Sequence, residues 1–172
     1  MDPLSFPVLA GAALNQAFGF LFGRLAHLLD NRGNKSSEPE QVETPEVVEG
    51  NLEPVQTDVE ALEKYINELE ALSGALGVYQ RNPERIRSED QNLLSRLGRL
   101  RQLLEVIYNQ RITFQGELRS STGASVRQHM QTAAGEVTGV DGKRVRRADV
   151  VQDINRSEQG SKIIGIKGED IG

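Results

Sequence analysis

Apolar residues recur at helical spacing through the middle of the chain, from residue 57 to residue 118. Two stripes advance mainly in steps of three and four residues. Such stripes predict two amphipathic helices whose apolar faces form a core or contact a partner helix, so we assign 57–118 to a helical hairpin of a bundle. The first stripe is Val59, Leu62, Ile66, Leu69, Leu72 and Leu76, and the second is Leu93, Leu97, Leu100, Leu104, Ile107 and Phe114. The charged residues assigned to positions off the second stripe are Arg96, Arg99, Arg101 and Glu105.

The ends of these helices are predicted from capping patterns. Thr57-Asp58-Val59-Glu60 has the spacing of a capping box, in which a Ser or Thr and a Glu or Gln satisfy free backbone N–H groups. The first helix is expected to end near Gly74 to Gly77. Asn82-Pro83-Glu84 resembles a helix start with proline at the first helical position. Ser88-Glu89-Asp90-Gln91 offers a second capping box.

The first 30 residues form an apolar N-terminal segment. Leu4 to Gly23 is 20 residues without a charge, close to the length of a bilayer span. It also contains Pro7 and several polar and small residues, and Gly19 and Gly23 have the spacing that lets helices approach closely. Three interpretations stay open: a packed first helix of the bundle, a conditional membrane segment that is buried in one state and inserted in another, and a permanent anchor.

Residues 31–56 differ in composition from both neighbours. Six Glu and the prolines at 39, 45 and 54 oppose regular structure in this stretch. We predict an acidic, flexible or extended linker whose charge is mainly solubilising.

The end of the chain, residues 119–172, contains one strand-like phrase twice. Val137–Val145 aligns with Ile163–Ile171 on the skeleton β-branched, x, Gly, β-branched, x, Gly, x, x, β-branched. Upstream, Val126–Met130 parallels Val150–Ile154. Neither unit can bury its apolar face alone, but two stacked units can, as in β-solenoids and cross-β assemblies. A small β-domain that does not polymerise, and a disordered tail that folds only on a partner, are the alternatives.

Charged positions invert their sign between the two units. If one unit lies directly above the other, each aligned pair becomes a favourable cross-strand pair. The aligned pairs are Glu136 with Lys162, Asp141 with Lys167, Lys143 with Glu169 and Arg144 with Asp170.

Composition narrows the functional classes. The net charge of -5 gives no reason to expect a nucleic-acid partner, and the absence of Cys excludes disulfides and thiolate chemistry. His27 and His129 are isolated, so we expect neither a metal nor a cofactor, and no pattern of an enzyme active site is present. No basic residue precedes the apolar run, so we expect no cleaved signal peptide. The expected fold is mainly α, a small helical bundle with a hydrophobic N-terminal helix, plus a β-rich (β-solenoid or cross-β) or conditionally disordered tail.

The opening MDPLS and the uncharged helix after it resemble the start of fungal HeLo-type domains. The end of the helical body, LLEVIYNQRITFQGE (Leu103–Glu117), is similar to bacterial Bell domains, which are helical bundles related in architecture to membrane-permeabilising cell-death proteins. The duplicated tail resembles the two-repeat amyloid signalling motif that such proteins carry at their C-terminus.

This resemblance implies a mechanism. A sensor protein with a matching motif would template the tail into a cross-β fold, the bundles would gather, and the first helix would leave the bundle and permeabilise a membrane. The chain would then be a cell-death or immune effector, cytoplasmic at rest and membrane-associated once activated, and a homo-oligomer through its tail. The implied membrane-inserting residues are Leu4, Phe6, Leu9, Leu14, Phe18, Gly19, Phe20, Leu21, Phe22 and Gly23. The implied assembly residues are Val137, Gly139, Val140, Gly142, Val145, Ile163, Gly165, Ile166, Gly168 and Ile171.

Two other functions stay open on the sequence alone. One is a non-toxic interaction module or signalling adaptor whose helices pair with another protein and whose β-tail docks. The other is a constitutive membrane-anchored scaffold.

Overall fold

A computed structural model of the chain describes residues 6–33, 38–130, 136–145, 149–154 and 162–171. The protein is mainly helical, as predicted. Its helices are α1 (Gly11–Asp30), α2 (Val59–Arg81) and α3 (Gln91–Tyr108), with a one-turn 3₁₀ helix at Pro83–Arg85 between α2 and α3. Its strands are β1 (Gln110–Arg111), β2 (Gly123–Met130), β3 (Glu136–Val145), β4 (Asp149–Ile154) and β5 (Lys162–Ile171).

Aspartate side chains cap α2 and α3, one or two residues later than the capping boxes predicted. Asp58 accepts a hydrogen bond from the N–H of Ala61 at 3.0 Å, and Asp90 accepts one from the N–H of Leu93 at 3.0 Å. The predicted capping residues, Thr57 and Ser88, therefore lie outside the helices. Aspartate competes well with serine and threonine at this position because its carboxylate also interacts favourably with the helix dipole.

Helix α2 extends to Arg81, so the prediction that it ends near Gly74 to Gly77 is wrong. Gly77 is buried within the helix and Gly74 lies on its exposed side, where an added Cβ would meet no atom within 4 Å. A glycine weakens a helix by only about 1 kcal/mol, which tertiary packing overrides. The helix ends after Arg81, with Asn82 as its C-cap, because Pro83 disfavours helical torsions at Asn82.

The apolar stripes of α2 and α3 form the centre of the core. Every member of the second stripe is fully buried, and Phe114 belongs to the segment that follows β1 rather than to α3. In the first stripe, Val59 is exposed and Ile66 is partly buried. Two side-chain contacts show that α2 and α3 are antiparallel. Tyr79 bonds to Asp90 near the connection between the helices, and Glu68, earlier in α2, bonds to Arg99, later in α3.

Helix α1 packs against both α2 and α3. This packing is what two of the three interpretations of the N-terminal segment predict, namely a packed first helix of the bundle and the buried state of a conditional membrane segment. Among the described helices, none is both long and apolar enough to cross a membrane. The buried residues of α1 are Leu14, Ala17, Phe18, Leu21, Leu25 and Leu28.

Residues 38–56, here called the acidic segment, form no helix or multi-residue strand and lie against the bundle, with their two ends joined by an antiparallel bridge. Glu40 and Val55 exchange two backbone hydrogen bonds of 2.8 Å each. The prediction for this stretch was a flexible or extended linker, but its bridged ends and its buried apolar side chains place it against the core instead. Those buried side chains are Val47, Val48, Leu52 and Val55.

The strands form two sheets, in the order β1-β2-β4 and β3-β5, and the tail pairs β2 with β4 and β3 with β5 are parallel. Val126 lies opposite Val150 and Met130 lies opposite Ile154 in the first pairing. In the second, the register runs from Glu136 opposite Lys162 to Val145 opposite Ile171. These partners are the residues that the alignment of the two sequence units matches. Strand β1 pairs with the start of β2 in the antiparallel direction.

Candidate functional site

The residues proposed for membrane insertion lie mostly inside the bundle. Leu4 lies outside the described residues. Phe6, Leu9, Leu14, Phe18 and Leu21 are buried, and Phe20 and Phe22 are partly buried against the same core. Gly19 and Gly23 are exposed, and a Cβ at either would meet no atom within 4 Å. The small-residue spacing therefore plays no part in packing within the bundle.

Phe6 anchors the residues before α1 to an aromatic and cationic cluster. Its ring centroid lies 5.1 Å from that of Phe114, and the guanidinium of Arg101 lies 5.6 Å from the Phe6 ring and 5.8 Å from the Phe114 ring. Rings at this separation attract each other, and a guanidinium held near a ring gains cation–π stabilisation. Phe6 is thereby tied to both α3 and the segment after it.

The charge of Arg101 is paired with Glu117 inside the protein. Nη1 of Arg101 lies 2.7 Å from each carboxylate oxygen of Glu117, and the two side chains are 2% and 5% exposed. Glu117 also accepts a hydrogen bond from the N–H of Phe114 at 2.7 Å. Ion pairing and hydrogen bonds together offset the cost of removing both charges from water.

Sequence reasoning missed the burial of Arg101, which was assigned to a position off the second apolar stripe. A signal for its burial was present. Leu94, Arg101 and Tyr108 recur at intervals of seven residues, one position after Leu93, Leu100 and Ile107, and all three are buried. The buried face of α3 is therefore two stripes wide, and the arginine occupies a position in the second.

A polar cluster ties the last third of α1 to the acidic segment and to α3. Arg24 donates hydrogen bonds of 3.3 and 3.2 Å to the carboxylate of Glu40, and its Nε donates to the hydroxyl of Tyr108 at 3.1 Å. Nε2 of His27 lies 3.0 Å from Oε2 of Glu40. The hydrogen bond from Arg24 lowers the pKa of Glu40, and burial raises the pKa of Tyr108. At neutral pH Glu40 is therefore an anion bound to two side chains of α1.

The chain just after α1 is also linked to the bundle, by an ion pair with α2. Arg32 forms an ion pair with Glu70 of α2, although both side chains are about half exposed. An exposed pair of this kind contributes little stability by itself, about 0–1 kcal/mol. The firmer polar restraint on α1 is therefore the cluster around Arg24.

The tail begins at a junction built from the acidic segment and the chain after α3. The N–H of Thr113 donates to Oγ1 of Thr122 at 3.0 Å, and the N–H of Thr122 donates to the carbonyl of Glu49 at 2.9 Å. Immediately afterwards, β2 pairs with β1, Gly123 opposite Arg111 and Ala124 opposite Gln110. The first strand of the tail is thus bonded directly to the bundle.

The assembly residues of the two units lie at equivalent register positions. Gly139 lies in β3 and Gly165 in β5. The opposed pairs are Val137 with Ile163, Val140 with Ile166, Gly142 with Gly168 and Val145 with Ile171. Three of the four charge-inverting pairs are also opposed: Glu136 with Lys162, Asp141 with Lys167 and Arg144 with Asp170.

Within the part of the chain that the structure describes, no group of three or more His, Asp or Glu side chains is arranged to hold a metal ion. Comparisons with protein families, with curated proteins and with solved structures found no match. The resemblance to Bell and HeLo-type domains therefore stays a prediction from sequence.

Proposed function

We propose that the protein is a membrane-permeabilising effector, activated when its C-terminal units assemble with those of other molecules. The observation that carries this proposal is the register of the tail. Corresponding residues of the two units lie opposite each other in parallel strands. A chain that pairs its own two units in this way presents the same pairing surface to a further unit.

Assembly would extend the pairing already made inside one chain. Each unit adds two strands, and a parallel neighbour about 4.8 Å away would satisfy the backbone groups of the outer strands. Glycines would permit turns or close approach, and β-branched residues would fill the interior of the resulting β-solenoid. The templating partner would be a second copy or a sensor protein with a similar motif.

Charge inversion would select the partner unit. In the register β3 opposite β5, acidic and basic positions alternate between the units, as with Asp141 opposite Lys167. Stacking the second unit of one chain on the first unit of the next preserves this complementarity. Stacking two identical units would oppose like charges, which is unfavourable in neighbouring strands.

Assembly of the tails would bring the bundles together at a high local concentration. Helix α1 is the element proposed to act there, because the uncharged stretch from Leu4 to Gly23 approaches the length of a bilayer core. Its apolar side chains must exchange contacts in the bundle core for contacts with lipid. The resting bundle would thus be the inactive state.

A second function is favoured by a different observation. Helix α1 has a well-defined buried face, with Leu14, Leu21 and Leu25 each no more than 1% exposed, as in an ordinary core helix. A bundle that stays closed would be a signalling adaptor whose tail docks on a partner without damaging membranes.

Dye release from vesicles separates these two functions. The full chain would be incubated with vesicles of phosphatidylcholine and phosphatidylglycerol while thioflavin fluorescence reports tail assembly. We expect release to follow assembly in the wild type. Gly165→Pro should suppress both, because proline removes a backbone donor within β5.

Gly165→Ala is the matched control, because it retains the N–H group that proline lacks. It should assemble and release dye far more than Gly165→Pro does. Assembly of the wild type without dye release would reject the effector function and favour the adaptor. Normal assembly by Gly165→Pro would reject the proposed strand pairing.

A further inference from the structure

The acidic segment contacts both the start of the tail and helix α1. It passes from Glu40, beside α1, to Gly50, beside Thr122, and returns to pair Val55 with Glu40. Its buried valines hold this path against the core. A stretch that is fixed in this way can transmit a displacement between its two ends, because packed segments resist continuous deformation.

At the tail end, the contact is made by backbone atoms and leaves little space. Gly50 lies beside Thr122 in a parallel bridge and has φ +89, a torsion that favours glycine. A Cβ on Gly50 would lie 3.2 Å from the carbonyl oxygen of Thr122. The neighbouring Glu49 accepts from Thr122 and donates to the carbonyl of Thr113 at 2.8 Å. Thr122 directly precedes β2, so this contact depends on the position of the first tail strand.

At the other end, the contact is made by side chains. Glu40 binds Arg24 and His27 of α1, as described above, and the Arg24 side chain is only 12% exposed. Removing Glu40 from this position leaves a largely buried cation with Tyr108 as its remaining described side-chain hydrogen-bond partner. A part-buried cation that loses its anion disfavours the closed position of α1.

We propose that the acidic segment is an autoinhibitory strap that couples the first tail strand to helix α1. When the tail is docked at Gly50, the segment keeps Glu40 on α1. When assembly pulls Thr122 away, the segment loosens and α1 opens more often. Control of membrane activity by this coupling rests on the proposed function, but the coupling itself requires no membrane.

Hydrogen exchange of the full chain tests the coupling without any membrane. Gly50→Ala should weaken the tail contact through the crowded Cβ and the disfavoured torsion. We expect amide exchange in α1 to accelerate about tenfold, the change given by about 1.4 kcal/mol of strain. Exchange in α3 serves as the internal reference, because global unfolding would accelerate both helices equally.

Gly116→Ala is the matched control. Gly116 has φ +83, so alanine is strained there too, but its Cβ would meet no atom within 4 Å. It should leave the ratio of α1 exchange to α3 exchange unchanged. Equal acceleration of α1 by Gly50→Ala and Gly116→Ala would reject a specific role for the Gly50–Thr122 contact.

Combining Gly50→Ala with Glu40→Gln tests whether both ends act through one segment. Each single change should accelerate exchange in α1, and the double change should accelerate it by less than the product of the two factors. A full product would show independent effects and overturn the proposal. If the two changes are coupled but assembled protein does not release dye, the effector function is rejected and the strap is supported. If assembled protein releases dye but the two changes act independently, the strap is rejected and the effector function is supported.

Discussion

At the residue scale, the buried pair of Arg101 and Glu117 links three parts of the molecule. Arg101 belongs to α3, Glu117 follows β1, and the guanidinium lies beside the Phe6 ring ahead of α1. A buried pair is a weak source of net stability, but removing one partner leaves an uncompensated charge. The relative positions of α3, the chain after β1 and the residues before α1 therefore depend on both Arg101 and Glu117.

Arg101→Met should lower the free energy of unfolding by about 3–5 kcal/mol, because Glu117 is left charged and buried. The double variant Arg101→Met with Glu117→Gln should recover a substantial part of this loss. Urea denaturation of the single and double variants measures both. Equal destabilisation by the single and the double variant would contradict the coupling of the two charges.

How far single residues can be predicted from sequence differs between apolar and polar types. The leucines of the second stripe are buried as their spacing predicts, because burial of apolar area dominates their free energy. For Arg101, the seven-residue spacing with Leu94 and Tyr108 indicates a buried position, but the ion pair that makes this burial tolerable involves Glu117, 16 residues away in sequence. Spacing can therefore indicate that a polar residue is buried, but it does not identify the partner.

Ala12 provides a test of membrane insertion that spares the resting bundle. Its side chain is exposed at the start of α1, where an aspartate interacts favourably with the helix dipole. It also lies near the middle of the uncharged stretch, where a charge opposes insertion by about 2.5–3.5 kcal/mol. Ala12→Asp should therefore retain the thermal stability of the bundle and reduce dye release at least about tenfold.

Ala12→Leu is the control for this change, because it adds a side chain of similar size without charge. It should release dye as the wild type does. Dye release by Ala12→Asp at the level of Ala12→Leu would show that α1 does not enter the bilayer.

At the element scale, the ends of the helices are set by aspartate caps. Asp58→Ala should lower the free energy of unfolding by about 1 kcal/mol, because the N–H of Ala61 loses its partner. Thr57→Ala, the residue that the capping-box pattern assigns to this role, should have a smaller effect. Thermal denaturation compares the two, and a larger effect at Thr57 would contradict the cap geometry.

Elements were predictable where one local signal dominates. The existence of α2 and α3 follows from their apolar periodicity. The acidic segment was not predictable in this way, because its order comes from backbone bonds to distant residues, such as Glu49 to Thr113 and Glu53 to Gln110. Its prolines and glutamates indicate only that it is not a helix.

The contact of the acidic segment with α1 predicts a pH dependence. The pKa of Glu40 lies below its ordinary value of 4.5 because Arg24 donates hydrogen bonds to it. The ionised form therefore stabilises the fold above pH 4.5, and this contribution is lost as the pH falls through the lowered pKa. The difference in free energy of unfolding between the wild type and Glu40→Gln should shrink as the pH falls below 4.5. A difference that is independent of pH would contradict an ionic role for Glu40.

At the scale of the whole molecule, a helical bundle and a duplicated tail meet at one junction. The sequence predicts both parts from their separate patterns, apolar periodicity for the bundle and repetition for the tail. The junction itself has no sequence signature, because it depends on residues far apart in sequence: the backbone of Glu49 bonds to those of Thr113 and Thr122, and Gly50 lies beside Thr122. The proposed switching depends on this junction more than on either part alone.

In the proposed switch, α1 is closed in the free protein and opens when the tail assembles. The chain has no cysteine, so a single Ala17→Cys substitution places one thiol on the fully buried face of α1. The measurement is the rate at which a water-soluble maleimide modifies this thiol in the full chain, before and after assembly. We expect slow modification of the free protein and fast modification of the assembled protein, with slow modification retained when Gly165→Pro is added. A thiol that stays protected in fully assembled protein would contradict the proposed switch.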